Sequence, residues 1–295
     1  MPGLALLKAL APLPPLVALG FVLRRFFKPT WDALDGEARA AWARSEGSDQ
    51  QRRAALAFAV AAVALAVMRF FGRNEDFSRY WGAWAALRPA LRHDLFAELY
   101  GQAWWFAFRV LGYVIIPAVA WKLAFRGDRL RDMGLRLDGS TAFGRPNGGR
   151  LYLVALALVL PCVAVASGQP DFAAKYPLYK LAGRSWFDFV AWEAMYVLQF
   201  LALEWFFRGW WVGALRPVLG SAAIFSTMVP YCMIHYSKPY LEAVGAIATT
   251  VALGSLAVRS GHVFLGFGVH VTVALGMDLA ALLRHGGLPR TPVPW

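Results

Sequence analysis

Charge is scarce in this sequence: Asp, Glu, Lys and Arg make up 16% of 295 residues, where an average soluble domain carries roughly 25%. With 59% hydrophobic residues and a mean hydropathy of +0.47, that shortage excludes an ordinary soluble globular protein. Acidic residues are scarcest, 18 against 30 Lys and Arg, giving a formal charge of +12. In a soluble chain such a balance would suggest nucleic acid; in a membrane chain topology accounts for it, and no nucleic-acid partner is expected. Two cysteines, Cys162 and Cys232, both inside apolar runs, exclude a disulfide framework and a CxxC metal site. There is no HExxH and no internal repeat, which weighs against transporters built from inverted halves.

What the chain does have is apolar runs of a length that crosses a hydrocarbon core of roughly 30 Å. Residues 4–23, 54–68, 102–121, 151–168, 186–211, 218–237, 243–258 and 263–283 are such runs, and predict about eight spans. The first lacks a small-residue cleavage site before Arg24 and Arg25 and reads as a retained span. Backbone polar groups in lipid need partners within their own segment, so the spans are helices. The expectation is an all-α, multi-pass integral membrane protein in a prokaryotic-type plasma membrane, its lipid-facing surface in contact with the bilayer. With the span-borne Arg208 and Lys8 assigned to their nearer sides, seventeen Lys and Arg fall on one side of these spans and twelve on the other, Arg109 being assigned to neither. Positive-inside then places both termini outside the cytoplasm.

The connection 69–101 mixes charges with Tyr80, Trp81, Trp84 and Phe96 and predicts an interfacial amphipathic helix. Residues 126–150 form a basic, Gly-rich connector, with local disorder expected around 145–150. The chain thus divides into an N-terminal extension over 1–125, this connector, a core over 151–283 and a tail over 284–295. Trp104, Trp105, Trp210 and Trp211 are expected in aromatic belts.

Ionisable groups inside spans cost roughly 2.5 to 3.5 kcal/mol each on insertion scales, so they mark partners, pathways or chemistry. The last four spans hold Glu193, Glu204, Arg208, His235, His270 and Asp278. Glu204 and Arg208, four residues apart, predict an intrahelical ion pair, with Glu first in the favourable order. That pair is either structural neutralisation or a way of fixing the Glu204 rotamer so that one oxygen holds water or substrate. A single intramembrane His is commonly a helix–helix hydrogen-bond partner. Two of them, His235 and His270, with Glu204 on a third span, could share a pocket as base, acid and oxyanion partner, or as metal ligands. Glu193 lies roughly 16 Å along the helix from Glu204, at 1.5 Å per residue, and belongs elsewhere. Asp278 is expected at a solvated membrane edge, and His262 and His285 at interfaces.

Glu204-Trp-Phe-Phe-Arg208-Gly209, then Tyr231-x-x-x-His235, then Arg259-Ser-Gly-His-Val-Phe leading to His270, resembles the motif order of the CPBP membrane proteases. These are the CAAX-processing and bacteriocin-processing enzymes, also called Abi proteins. The likeness extends over about residues 130–283, and Lys175-Tyr-Pro-Leu-Tyr179 is similar to a segment found before the first motif in some members. The resemblance implies a protease-like core in the last five spans. It also implies hydrolysis of a peptide bond in a membrane protein or lipidated peptide, by water held between Glu204 and two His, with Arg208 as orienter. Glu204, His235 and His270 would suit one divalent metal such as zinc with an open position. They would equally suit a Glu base with a His-stabilised oxyanion.

Two positions depart from the family pattern: Leu203 stands where a first glutamate is usual, and Ala274 where an Asn usually follows the last His. An intramembrane endopeptidase is therefore set against a catalytically degenerate relative that binds a partner without cleavage. A third reading, an ion-coupled transporter, rests on intramembrane charge alone.

Overall fold

The computed structural model describes residues 2–44, 47–85, 94–136, 148–168, 170–285 and 287–294. Helices dominate: α1 Pro2–Leu10, α2 Leu13–Arg44, α3 Ser48–Phe71, α4 Asn74–Ala85, α5 Ala97–Ala124 and α6 Gly148–Ala166. They continue with α7 Pro170–Lys175, α8 Trp186–Leu219, α9 Ala222–Phe225, α10 Met228–Met233, α11 Tyr240–Ser260 and α12 Phe264–His285. Among the described residues there is no strand, and the one β-bridge joins Leu135 to His262. This is an all-α integral membrane protein.

Among the described residues, six helical stretches are long and apolar enough to cross a bilayer, where about eight were expected. The fourth expected span is reduced to a 14-residue apolar stretch, Tyr152–Val165 within α6. The sixth, 218–237, is broken into α9 and α10. Gly220 ends α8 with a φ of 59°, a left-handed turn that glycine makes without steric cost. The Ser226 and Thr227 hydroxyls then bond back to the Ala223 and Ile224 carbonyls, competing with a continuous helix.

The first expected connection is also helical, because α2 continues to Arg44. Its buried side chains Phe27, Thr30, Leu34 and Ala38 recur every three or four residues, as one helix face requires. The expected amphipathic helix is present as α4, where Phe77 stacks on Trp81. Residues 86–93 of that connection lie outside the described residues, as do residues 137–147 and with them half of the stretch expected to be disordered; its other half, 148–150, is helical and opens α6.

The chain forms two compact units. Unit 1 comprises Met1–Ala57, Arg129–Pro146 and Phe207–Gly266; unit 2 comprises Phe58–Asp128, Asn147–Phe206 and Phe267–Trp295. In unit 1, Leu34 is buried with Val212, Ile224, Val251 and Val258. Trp31 Nε1 donates to Ser255 Oγ at 2.9 Å, Trp42 Nε1 to the Val218 carbonyl at 2.9 Å, and the Ser221 N–H to Asp35 Oδ1 at 2.7 Å. In unit 2, Leu99, Tyr179, Ala182, Trp192, Tyr196 and Ala274 make an apolar cluster.

Candidate active site

The start of α8 is set by polar groups. Ser185 is its N-cap, accepting from the Asp188 N–H at 3.1 Å, while the Ser185 hydroxyl donates to Asp188 Oδ2 at 2.7 Å. Arg184 adds a two-pronged contact to the same carboxylate, at 2.9 and 2.7 Å, and Tyr179 Oη donates to it at 2.7 Å. Burial first, and then this bond, push the Tyr179 phenol above its ordinary range. Asp188, which falls in the apolar run 186–211, is thus part of a helix cap.

Four turns on, Glu204 closes the α-helical part of α8, and Trp205–Trp211 is π-helical. Such turns bond i to i+5 and concentrate at functional sites. Arg208, four residues past Glu204, lies within this π-helical turn.

The Glu204 side chain is 0% exposed, and its Oε1 lies 2.7 Å from Nδ1 of His270 on α12, whose side chain is 15% exposed. At that separation an ionised Glu204 would accept from Nδ1–H, which would leave Nε2 as the ring's acceptor. Phe200, one turn before Glu204, stacks on the imidazole at 5.2 Å and 10°. Behind it run Tyr196 at 4.8 Å and then Trp192 at 4.9 Å, whose Nε1 donates to Asp278 Oδ2 at 2.9 Å.

Asp278 is fully buried, correcting the solvated edge expected for it; the indole N–H and the neighbouring Glu193 carboxyl share its pocket in unit 2. Trp210 and Trp211 are likewise 0% and 4% exposed and belong to the interior of unit 1, not to an aromatic belt.

The other two predicted residues are brought together within unit 1. The Arg208 guanidinium, itself buried, sits 4.1 Å over the ring of Tyr231, a cation–π contact strengthened by desolvation. Tyr231 is also 4.8 Å from the His235 ring, and His235 Nδ1 lies 2.7 Å from the Tyr231 carbonyl. That oxygen can only accept, so here too Nδ1 carries the proton and Nε2 is the acceptor. Among the described residues, no three His, Cys, Asp or Glu side chains gather so as to hold a metal ion.

Leu203 and Ala274 are buried, and Ala274 packs within the apolar cluster of Leu99, Trp192 and Tyr196. The sequence reading missed Phe200, although an aromatic four residues before Glu204 is a signal for a neighbour on the same helix face. It had no signal for the Trp192–Asp278 bond, which joins helices 86 residues apart.

Comparison with curated proteins and with solved structures gives no match. Residues 185–276, a shorter stretch than the motifs suggested but one containing Glu204, Arg208, Tyr231, His235 and His270, match the family described as type II CAAX prenyl endopeptidase Rce1-like, in agreement with the resemblance to the CPBP membrane proteases.

Proposed function

We propose that the protein is an intramembrane endopeptidase of the CAAX-processing type in a prokaryotic-type plasma membrane, acting on a membrane-associated or lipidated peptide. The observation that carries the proposal is the buried 2.7 Å contact between Glu204 and His270 inside the family match. With its proton on Nδ1, His270 offers Nε2 as general base. Nε2 takes a proton from water as the oxygen adds to the scissile carbonyl carbon. The same proton then passes to the departing amine nitrogen, the C–N bond breaks, and a carboxylic acid and an amine result. Glu204 holds the tautomer and stabilises the imidazolium, the part a buried carboxylate takes beside a catalytic His. His235, with the same tautomer, and Arg208 serve as oxyanion and orienting groups on the strength of the motif resemblance. No step is routed through a metal.

The test is cleavage of a farnesylated peptide by the full chain in proteoliposomes. Glu204→Gln and His270→Ala should each lower turnover by about 1,000-fold or more, and Arg208→Ala and His235→Ala should lower it too. A metal chelator should leave the wild type within about twofold, a change of about 0.4 kcal/mol at most. Normal turnover in Glu204→Gln would overturn the assignment.

A second reading, a partner-binding protein without cleavage, is favoured by the apolar packing at Leu203 and Ala274. It predicts no turnover in the wild type and gain of turnover on Leu203→Glu.

A further inference from the structure

At residue 24 the lipid-exposed part of α2 gives way to a cluster of cations. Val17, Phe21, Val22 and Phe26 are exposed apolar side chains along this stretch. Arg24, Arg25 and Lys28 follow within one turn and, with Phe21 and Pro29, line a cavity of about 360 Å³. A second cavity of about 230 Å³ shares Pro29 and is lined by Phe26, Thr30 and Arg259. Arg259 comes from the last turn of α11, far along the chain but in the same unit, and its guanidinium lies 4.7 Å over the Phe26 ring. Lys28 pairs with Asp32 at 2.5 Å. Arg24, Arg25 and Arg259 have no carboxylate partner among the described residues.

We infer that Arg24, Arg25, Lys28 and Arg259 form a binding site for the phosphate headgroup of an anionic phospholipid, whose acyl chains lie along the exposed apolar face of α2. A topology signal alone needs no second helix. Here, cations from two helices line two cavities that share Pro29, and the Phe26 ring lies beneath the Arg259 guanidinium. Guanidinium groups match phosphate oxygens in a planar fork, and basic pockets at the cytoplasmic end of membrane helices recognise lipid headgroups in this way. The side chains that would meet the acyl chains are already exposed and apolar, so occupation displaces no protein contact.

The test is titration of the purified full chain with phosphatidylglycerol, phosphatidylcholine or glycerol 1-phosphate, with retained ligand read by native mass spectrometry. The wild type should retain phosphatidylglycerol over phosphatidylcholine, with glycerol 1-phosphate binding far more weakly. Arg24→Gln and Arg259→Gln should each weaken retention about fivefold, while Arg259→Lys keeps most of it. Arg44→Gln removes an equal charge elsewhere on α2 and should change retention by less than about twofold. Melting curves in phosphatidylcholine micelles should coincide for all four variants, separating binding from folding. Equal loss in Arg44→Gln would reveal a diffuse basic field and overturn the site. So would equal retention of the two phospholipids, or binding of glycerol 1-phosphate as tight as that of phosphatidylglycerol.

Discussion

One proton, on Nδ1 of His270, decides what the buried pair can do. In the proposed mechanism it commits that nitrogen to Glu204 and leaves Nε2 as the base; His270 is 15% exposed beside a fully buried Glu204. In the same mechanism Phe200, stacked on the imidazole, is a positioning residue. Phe200→Ala should lower kcat by about tenfold with little change in KM, whereas Phe200→Tyr should keep most of the rate. Parallel steady-state kinetics in proteoliposomes would show this, since an effect confined to positioning is lost in the chemical step. Glu204, Arg208, His235 and His270 were legible in the sequence because ionisable groups in apolar runs are costly and conspicuous. Phe200 and Trp192 were not, because aromatics in such runs are ordinary. Asp278 was misplaced at a solvated edge because a hydropathy pattern does not reveal the indole N–H that receives it.

At the scale of the element, α8 shows how a membrane helix carries polar groups at a modest cost. Its first turn is satisfied by Ser185, Arg184 and Tyr179, and its interior changes from α to π geometry directly after Glu204. Ser185→Ala removes the cap and should cost about 1 kcal/mol, read as a lower melting temperature in micelles. The turn between α11 and α12 carries a pH dependence. Burial holds the half-buried His262 below its ordinary pKa. Below about pH 6.5 the unfolded chain takes up a proton that the folded turn resists, so stability falls as pH drops. Thermal melts from pH 8 to 5 should show this loss, and His262→Asn should flatten it. The long helices were legible from apolar length. The break at Gly220 and the extension of α2 to Arg44 were not: one rests on backbone conformation and hydroxyl bonds, the other on a buried stripe flanked by charged residues.

At the scale of the whole molecule, each compact unit is assembled from three separate stretches of chain. The N-terminal helix α2 packs with α9 and α11 in unit 1, while the segments 58–128 and 267–295 belong to unit 2. Order along the chain therefore gives the class of molecule, an all-α membrane protein, and says little about which helices are neighbours. In unit 1, Asp35 on α2 accepts from the Ser221 N–H just after α8. Asp35→Ala should lower the melting temperature by several degrees, an amount that corresponds to about 1 to 3 kcal/mol for a bond to a charged acceptor. The central claim is that Glu204 and His270 make this molecule a peptidase. The most direct measurement is profiling of protein N-termini in membrane fractions of host cells expressing the wild type or Glu204→Gln at equal levels. A set of termini should be present with the wild type and absent with the variant; identical profiles, with both proteins in the membrane, would contradict a peptidase role for Glu204 and His270.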